Sequence, residues 1–143
     1  MTEQIPPDGF EPHFRKSALT DPWEPLFSKI EPDRVRLGLF LREPHCNSRG
    51  LVHGGLIATL SDNAMGLSCV EVIKANGREV NGLVTVSLTT DFIGAARLGQ
   101  WLEVDTHFVK AGGSLSFADC FVRADNEVVA RASASFKILS IRK

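Results

Sequence analysis

The chain has 143 residues, 43% of them hydrophobic and 23% charged, with a formal net charge of −1. That is the size and balance of one globular domain, residues 1–143, and it leaves no electrostatic footprint for nucleic acid or an anionic membrane. The three cysteines, Cys46, Cys69 and Cys120, form no CxxC pair, which points to reduced thiols and a cytoplasmic home rather than a disulfide framework.

The N-terminal "MTEQIPPDGFEPHF" is acidic and carries Pro6, Pro7 and Gly9 with no apolar stretch. It reads as a loosely held segment over about 1–15, not as a signal peptide. "TDPWEPLF" is expected to form a short helix, with Asp21 as cap, Pro22 at the first helical position and Glu24 at capping-box spacing. "VRLGLFLREPHCN" alternates as a strand that ends near Pro44. Residues 54 to about 75 make the one long helix, stopped by Asn76-Gly77 and apolar on nearly all sides, as in a buried helix. Its apolar run is interrupted by Asp62 and ends at Glu71, which argues against a membrane span.

Beyond Gly82 the period becomes two. "LVTVSLTTDFI" should place Val84, Val86, Leu88 and Phe92 on one face, with Thr85, Ser87, Thr89 and Asp91 on the other. "WLEVDTHFVK" groups Leu102, Val104, Thr106 and Phe108, and turns outward Trp101, Glu103, Asp105 and His107. "AGG" at 111–113 and "DNE" at 125–127 turn the chain into "SLSFADCFVRA" and "VVARASASFKILS". The expected class is α+β, a curved antiparallel meander wrapped around one long helix.

No GxSxG elbow, P-loop, GxGxxG or HExxH occurs. The serine of "GGSLSF" belongs to a hairpin turn, and His45, Cys46 and His53 do not make a convincing metal set, so no metal or other cofactor is implied. His13 and His107 read as surface residues. Asn47, His53, Gly54, Gly55 and Asp62 remain. The two glycines could simply let the backbone pack tightly where a helix begins. They could equally leave a helix N-terminus open to a carbonyl oxygen that gains negative charge. Asp62 could be a carboxylate satisfied by core hydroxyls or an arginine, or it could be chemistry. It stands eight residues beyond Gly54, roughly 12 Å along a helix, and nine beyond His53, roughly on the opposite side. One chain therefore cannot easily aim both ends at one atom, whereas two antiparallel helices across a two-fold axis can. Thr85 is the candidate hydroxyl beside Asp62 or the substrate.

Asn47, Gly50, His53, Gly54, Gly55 and Asp62 write N-x-x-G-x-x-H-G-G with an acid nine positions after the histidine. With "VTVSLTTDFIGAARLGQWLEV" downstream, this resembles the hotdog-fold acyl-CoA thioesterases of the phenylacetate-degradation type, over roughly residues 35–140. The resemblance implies a hotdog fold, homodimers or homotetramers built as dimers of dimers, and acyl-CoA substrates hydrolysed to a carboxylic acid and CoA. It implies Asp62 as general base or nucleophile, the Gly54 N–H polarising the carbonyl, Asn47 and His53 positioning substrate or water, and Thr85 assisting. Gly55 would lie against the substrate. Many relatives carry a basic residue where this chain has Gly113, which leaves Arg97, Lys110 and Arg49 as candidates for the CoA phosphates. An acyl-thioester hydratase or dehydratase, and a non-catalytic acyl-CoA-binding or regulatory module, are the alternatives.

Overall fold

The expected helix is α1, Gly54–Ala75, 22 residues long in the computed structural model, which describes residues 4–139. It ends where the sequence places its stop: Asn76 is the C-cap, and Gly77 at φ +78° turns the chain away. Seven strands surround it: β1 (Glu11–Pro12), β2 (Phe27–Glu31), β3 (Arg34–Phe40), β4 (Gly82–Phe92), β5 (Trp101–Ala111), β6 (Leu115–Ala124) and β7 (Glu127–Leu139). They form one antiparallel sheet in the order β1-β2-β3-β5-β6-β7-β4. This is the long central helix in a curved sheet that the sequence led us to expect. Ser140 of the last expected strand and residues 1–3 of the N-terminal segment lie outside the described residues.

The meander needs one correction. Strands β5, β6 and β7 follow one another, but β4 does not pair with β5; it lies beyond β7 at the sheet edge. A helix of this length carries the chain about 33 Å along the sheet before β4 begins, so β4 can close the far edge. The β2 strand preceding "VRLGLFL" was not anticipated, and β3 stops at Phe40 because Glu43–His45 form a single 3-10 turn. "DPW" is likewise a 3-10 turn, Asp21–Trp23. Asp21 is its first residue, not its cap, and the Glu24 side chain accepts the Leu26 N–H at 2.6 Å.

Two β-bulges alter the expected faces. One falls between Thr85 and Ser87 of β4, and the other between Thr106 and Phe108 of β5. An extra residue reverses the alternation from that point. Thr85 opposite Phe136 therefore shares the helix-facing side with Leu88 opposite Ala134, while Val84 lies opposite Lys137 on the outer side. Phe108 likewise leaves the group of Leu102, Val104 and Thr106 and sits on the outer face opposite Asp119.

The core lies between sheet and helix. Leu56, Ile57, Leu60, Ala64 and Met65 of α1 meet Leu37, Leu39, Leu102, Val104 and Val122 of the sheet. By length and composition α1 could cross a bilayer, so the interruption at Asp62 was a weaker exclusion than the sequence suggested; here β3 to β7 all pack on it. Nor is it buried all round. Thr59, Asp62, Asn63, Gly66 and Val70 are only half-buried, leaving one stripe partly open. The N-terminal segment is also less free than expected, since Glu11–Pro12 pair with β2 and His13, taken for a surface residue, is 2% exposed.

Candidate active site

The loop before α1 is built by Asn47. Its Oδ1 accepts the N–H groups of Arg49 at 2.9 Å and Leu51 at 3.2 Å, and its backbone N–H donates to Leu51 O. The result is a tight turn through Gly50, at φ +73°, a backbone conformation that glycine adopts without penalty. One oxygen of Asn47 is thereby committed to the loop, and its Nδ2 group is left for other partners.

His53 is the N-cap of α1. Its Nδ1 accepts the Gly55 N–H at 2.9 Å, so in the neutral ring Nε2 carries the proton and is exposed. Leu56 N–H and Ile57 N–H both reach His53 O. Among the described residues, the Gly54 N–H is then the donor of this first turn without a partner. The cap thus separates two glycines that the sequence could not distinguish: Gly55 is engaged, and Gly54 is open. A Cβ on Gly54 would stand 3.1 Å from the Phe92 ring, so backbone and aromatic ring approach each other closely here and a side chain would push the ring aside. Sequence reasoning missed this contact because it depends on where β4 lies in space.

Asp62 is half-buried, and Thr85 Oγ1 donates to its Oδ1 at 2.7 Å. The bulge in β4 makes this bond possible by turning Thr85 toward the helix. The question of what compensates a carboxylate in an apolar helix is answered by one hydroxyl and partial exposure. Asp62 and Thr85 also line a cavity of about 380 Å³. Along a regular helix Asp62 stays roughly 12 Å from Gly54, so the structure gathers these residues into two groups. Asn47, His53, Gly54 and Gly55 sit at the helix N-terminus, and Asp62 with Thr85 sit two turns on.

Of the basic candidates, Arg97 reaches the first group, since it bridges Leu51 and its neighbour Leu98 donates to Gly50 O. Arg49 belongs to the same loop. Lys110 does not: it lies near the end of β5 opposite Phe117, on the outer face of the sheet and close to the hairpin that Arg78 clasps after the helix C-terminus. The three cysteines are free and favour the neutral thiol. Burial pushes the Cys120 thiol up to about 11, and raises Cys69 and Cys46 as well.

A long helix in a curved sheet, with an open helix N-terminus and a hydroxyl-bound acid, is the framework of a hotdog-fold thioester hydrolase. The chain belongs to the thioesterase superfamily, whose family profile matches residues 49–131. A Pseudomonas aeruginosa protein that carries an esterase name, PA0474, is 40% identical over 134 residues, covering 92% of this chain and 96% of that one. Human acyl-coenzyme A thioesterase 13 is 33% identical over 104 residues, covering 70% and 69%. A Streptococcus mutans protein solved with acetyl-CoA shares the fold at TM-score 0.74 and 22% identity, covering 92% of this chain and 98% of that one. The phenylacetic acid degradation protein of Thermus thermophilus, in a mutant form, does so at TM-score 0.69 and 19% identity, covering 80% and 93%.

Proposed function

We propose that this protein hydrolyses acyl-CoA thioesters to a carboxylic acid and CoA, at a site shared between two subunits. The observation that carries the reading is the Asp62–Thr85 pair at a cavity wall, on a helix whose N-terminus holds one unpartnered N–H. Thr85 occupies Oδ1, leaving Oδ2 to take a proton from water as the water oxygen adds to the thioester carbonyl carbon. The carbonyl oxygen becomes an oxyanion and is met by the partner subunit's Gly54 through its N–H, at the positive end of the helix dipole. Collapse of the intermediate breaks the C–S bond, and the CoA thiolate leaves and is protonated. In the nucleophilic variant Oδ2 itself attacks the carbonyl carbon, the C–S bond breaks and the CoA thiolate leaves, and water then cleaves the resulting anhydride to the free acid and Asp62. Asn47 Nδ2 and His53 Nε2–H position the thioester or the water from the loop side, and Arg97 contacts the CoA phosphates.

Two observations support the shared site. Gly54 and Asp62 of one chain are about two helical turns apart, and an antiparallel partner helix brings them together. The edge strand β4 is 11 residues long, with Val86 60% and Phe92 57% exposed, and it offers a pairing edge to the same strand of a second copy.

The test is thiol release from a panel of acyl-CoA thioesters by the purified protein. Turnover that disappears in Asp62→Asn is the expected result; binding of acyl-CoA without turnover would instead assign a carrier or regulatory module.

A further inference from the structure

The cavity beside Asp62 has a shape that the hydrolytic reading does not require. On α1 the residues Asp62, Gly66 and Val70 are spaced four apart, so they form one stripe along the helix axis, roughly 12 Å from end to end. Gly66 stands at the middle of that stripe. A Cβ there would meet the Phe136 ring at 3.5 Å, an ordinary contact, so no steric need excludes a side chain at this point. Yet glycine in a helix interior costs about 1 kcal/mol relative to alanine. What its absent side chain provides is the space between the helix and Phe136. The start of β4, at Leu83, and Leu19 and Thr20 of the N-terminal segment also line the cavity, which stays open to the surface. Those two residues lie outside the matched family region, 49–131.

We propose that this cavity is the chamber for the acyl group, that Gly66 sets its depth, and that it accepts straight acyl chains of medium length. The inference rests on the thioesterase reading, because the chamber begins at the Asp62 carboxylate. Asp62, Gly66 and Val70 all line it, so an extended chain leaving the thioester carbonyl has a path past Gly66 toward Val70. With about 380 Å³ available and roughly 12 Å from Asp62 to Val70, the chamber matches an acyl chain of medium length better than a long fatty chain.

The experiment measures kcat/KM of the full-length protein for acetyl-, butanoyl-, hexanoyl-, octanoyl-, decanoyl- and palmitoyl-CoA. Wild type is expected to peak at hexanoyl to decanoyl and to fall at palmitoyl. Gly66→Leu is expected to lower the octanoyl-to-butanoyl ratio by about tenfold or more, the scale at which a pocket discriminates by methylene groups. Gly66→Ala, which improves the helix and so keeps the fold, shifts the ratio the same way by a smaller factor. Leu19→Ala opens the wall and raises the palmitoyl-to-octanoyl ratio. Ratios that do not change in any of the three variants, or a wild-type optimum at palmitoyl, would overturn the proposal while leaving a working thioesterase. Loss of all turnover in wild type would instead remove the hydrolytic reading.

Discussion

Asp62 has a single side-chain partner among the described residues, the Thr85 hydroxyl at 2.7 Å, and this fixes what each should cost to remove. Asp62→Asn keeps the shape and removes the proton acceptor, so kcat should fall by roughly 10²–10⁴-fold, measured as thiol release. Thr85→Val keeps the volume and removes a charge-assisted hydrogen bond, worth roughly 1.5–3 kcal/mol, so kcat/KM should fall about tenfold or more with the fold intact. An unchanged kcat/KM would reduce Thr85 to an ordinary strand residue. His53 predicts a different readout. As N-cap it stabilises α1 by about 1 kcal/mol, so His53→Ala should lower the thermal midpoint by a few degrees in addition to any kinetic effect. The glycines were legible as a helix start, but their division of labour was not. That division depends on a histidine ring nitrogen accepting the Gly55 N–H two residues ahead, a geometry that spacing alone does not contain.

At the scale of elements, β4 does two jobs. Its inner side supplies Thr85, and its free edge is the surface proposed to pair with a second copy. Val86 is the bulge residue and is widely exposed. Val86→Lys should shift the protein toward monomer in analytical ultracentrifugation and lower activity with it, because the two halves of each site would separate. Mixing offers a sharper check. Subunits carrying Asp62→Ala and Asn47→Ala, each inactive alone, should recover about a quarter of wild-type activity after random exchange, since half the dimers are mixed and one of their two sites is whole. No recovery with demonstrated exchange would place the whole site in one chain. The strands of β4 and β5 were readable from period two, yet Thr85 and Phe108 each fell on the wrong face. A bulge leaves the alternation of residue types intact while reversing their sides, so the sequence pattern carries no mark of it.

For the whole molecule, the two buried histidines tie stability to pH. Burial pushes His13 below its usual value against the opposing pull of Glu24, with Lys16 and Arg15 adding to the depression. Burial does the same to His45, whose ring donates to Trp23 O and accepts from Arg42 N–H. A histidine with a depressed native pKa binds fewer protons folded than unfolded. Its stabilisation is therefore complete above about pH 6.5 and is lost as pH falls through the native value. Urea midpoints should be level from pH 8 to 7 and decline below 6.5, and His13→Phe should flatten part of that decline. A midpoint that stays level to pH 5 would show that both rings are reached by solvent.

Some of this protein was written in residue types and spacing. The helix over 54–75, its stop at Asn76-Gly77, the strand periods and the turn at Asp125-Asn126 all follow from local rules, because hydrophobic period, glycine and turn chemistry act over a few residues. Spacing also made Gly54 and Asp62 too distant for one chain, since a helix is a ruler. Tertiary structure decided the rest. It sent β4 to the far edge, turned Thr85 onto Asp62, buried His13, and brought residues 15–20 against the helix to wall a cavity. Each of these is a contact between segments far apart in the chain. Such contacts are fixed by which surfaces fit together when the core closes, and no local pattern records that outcome.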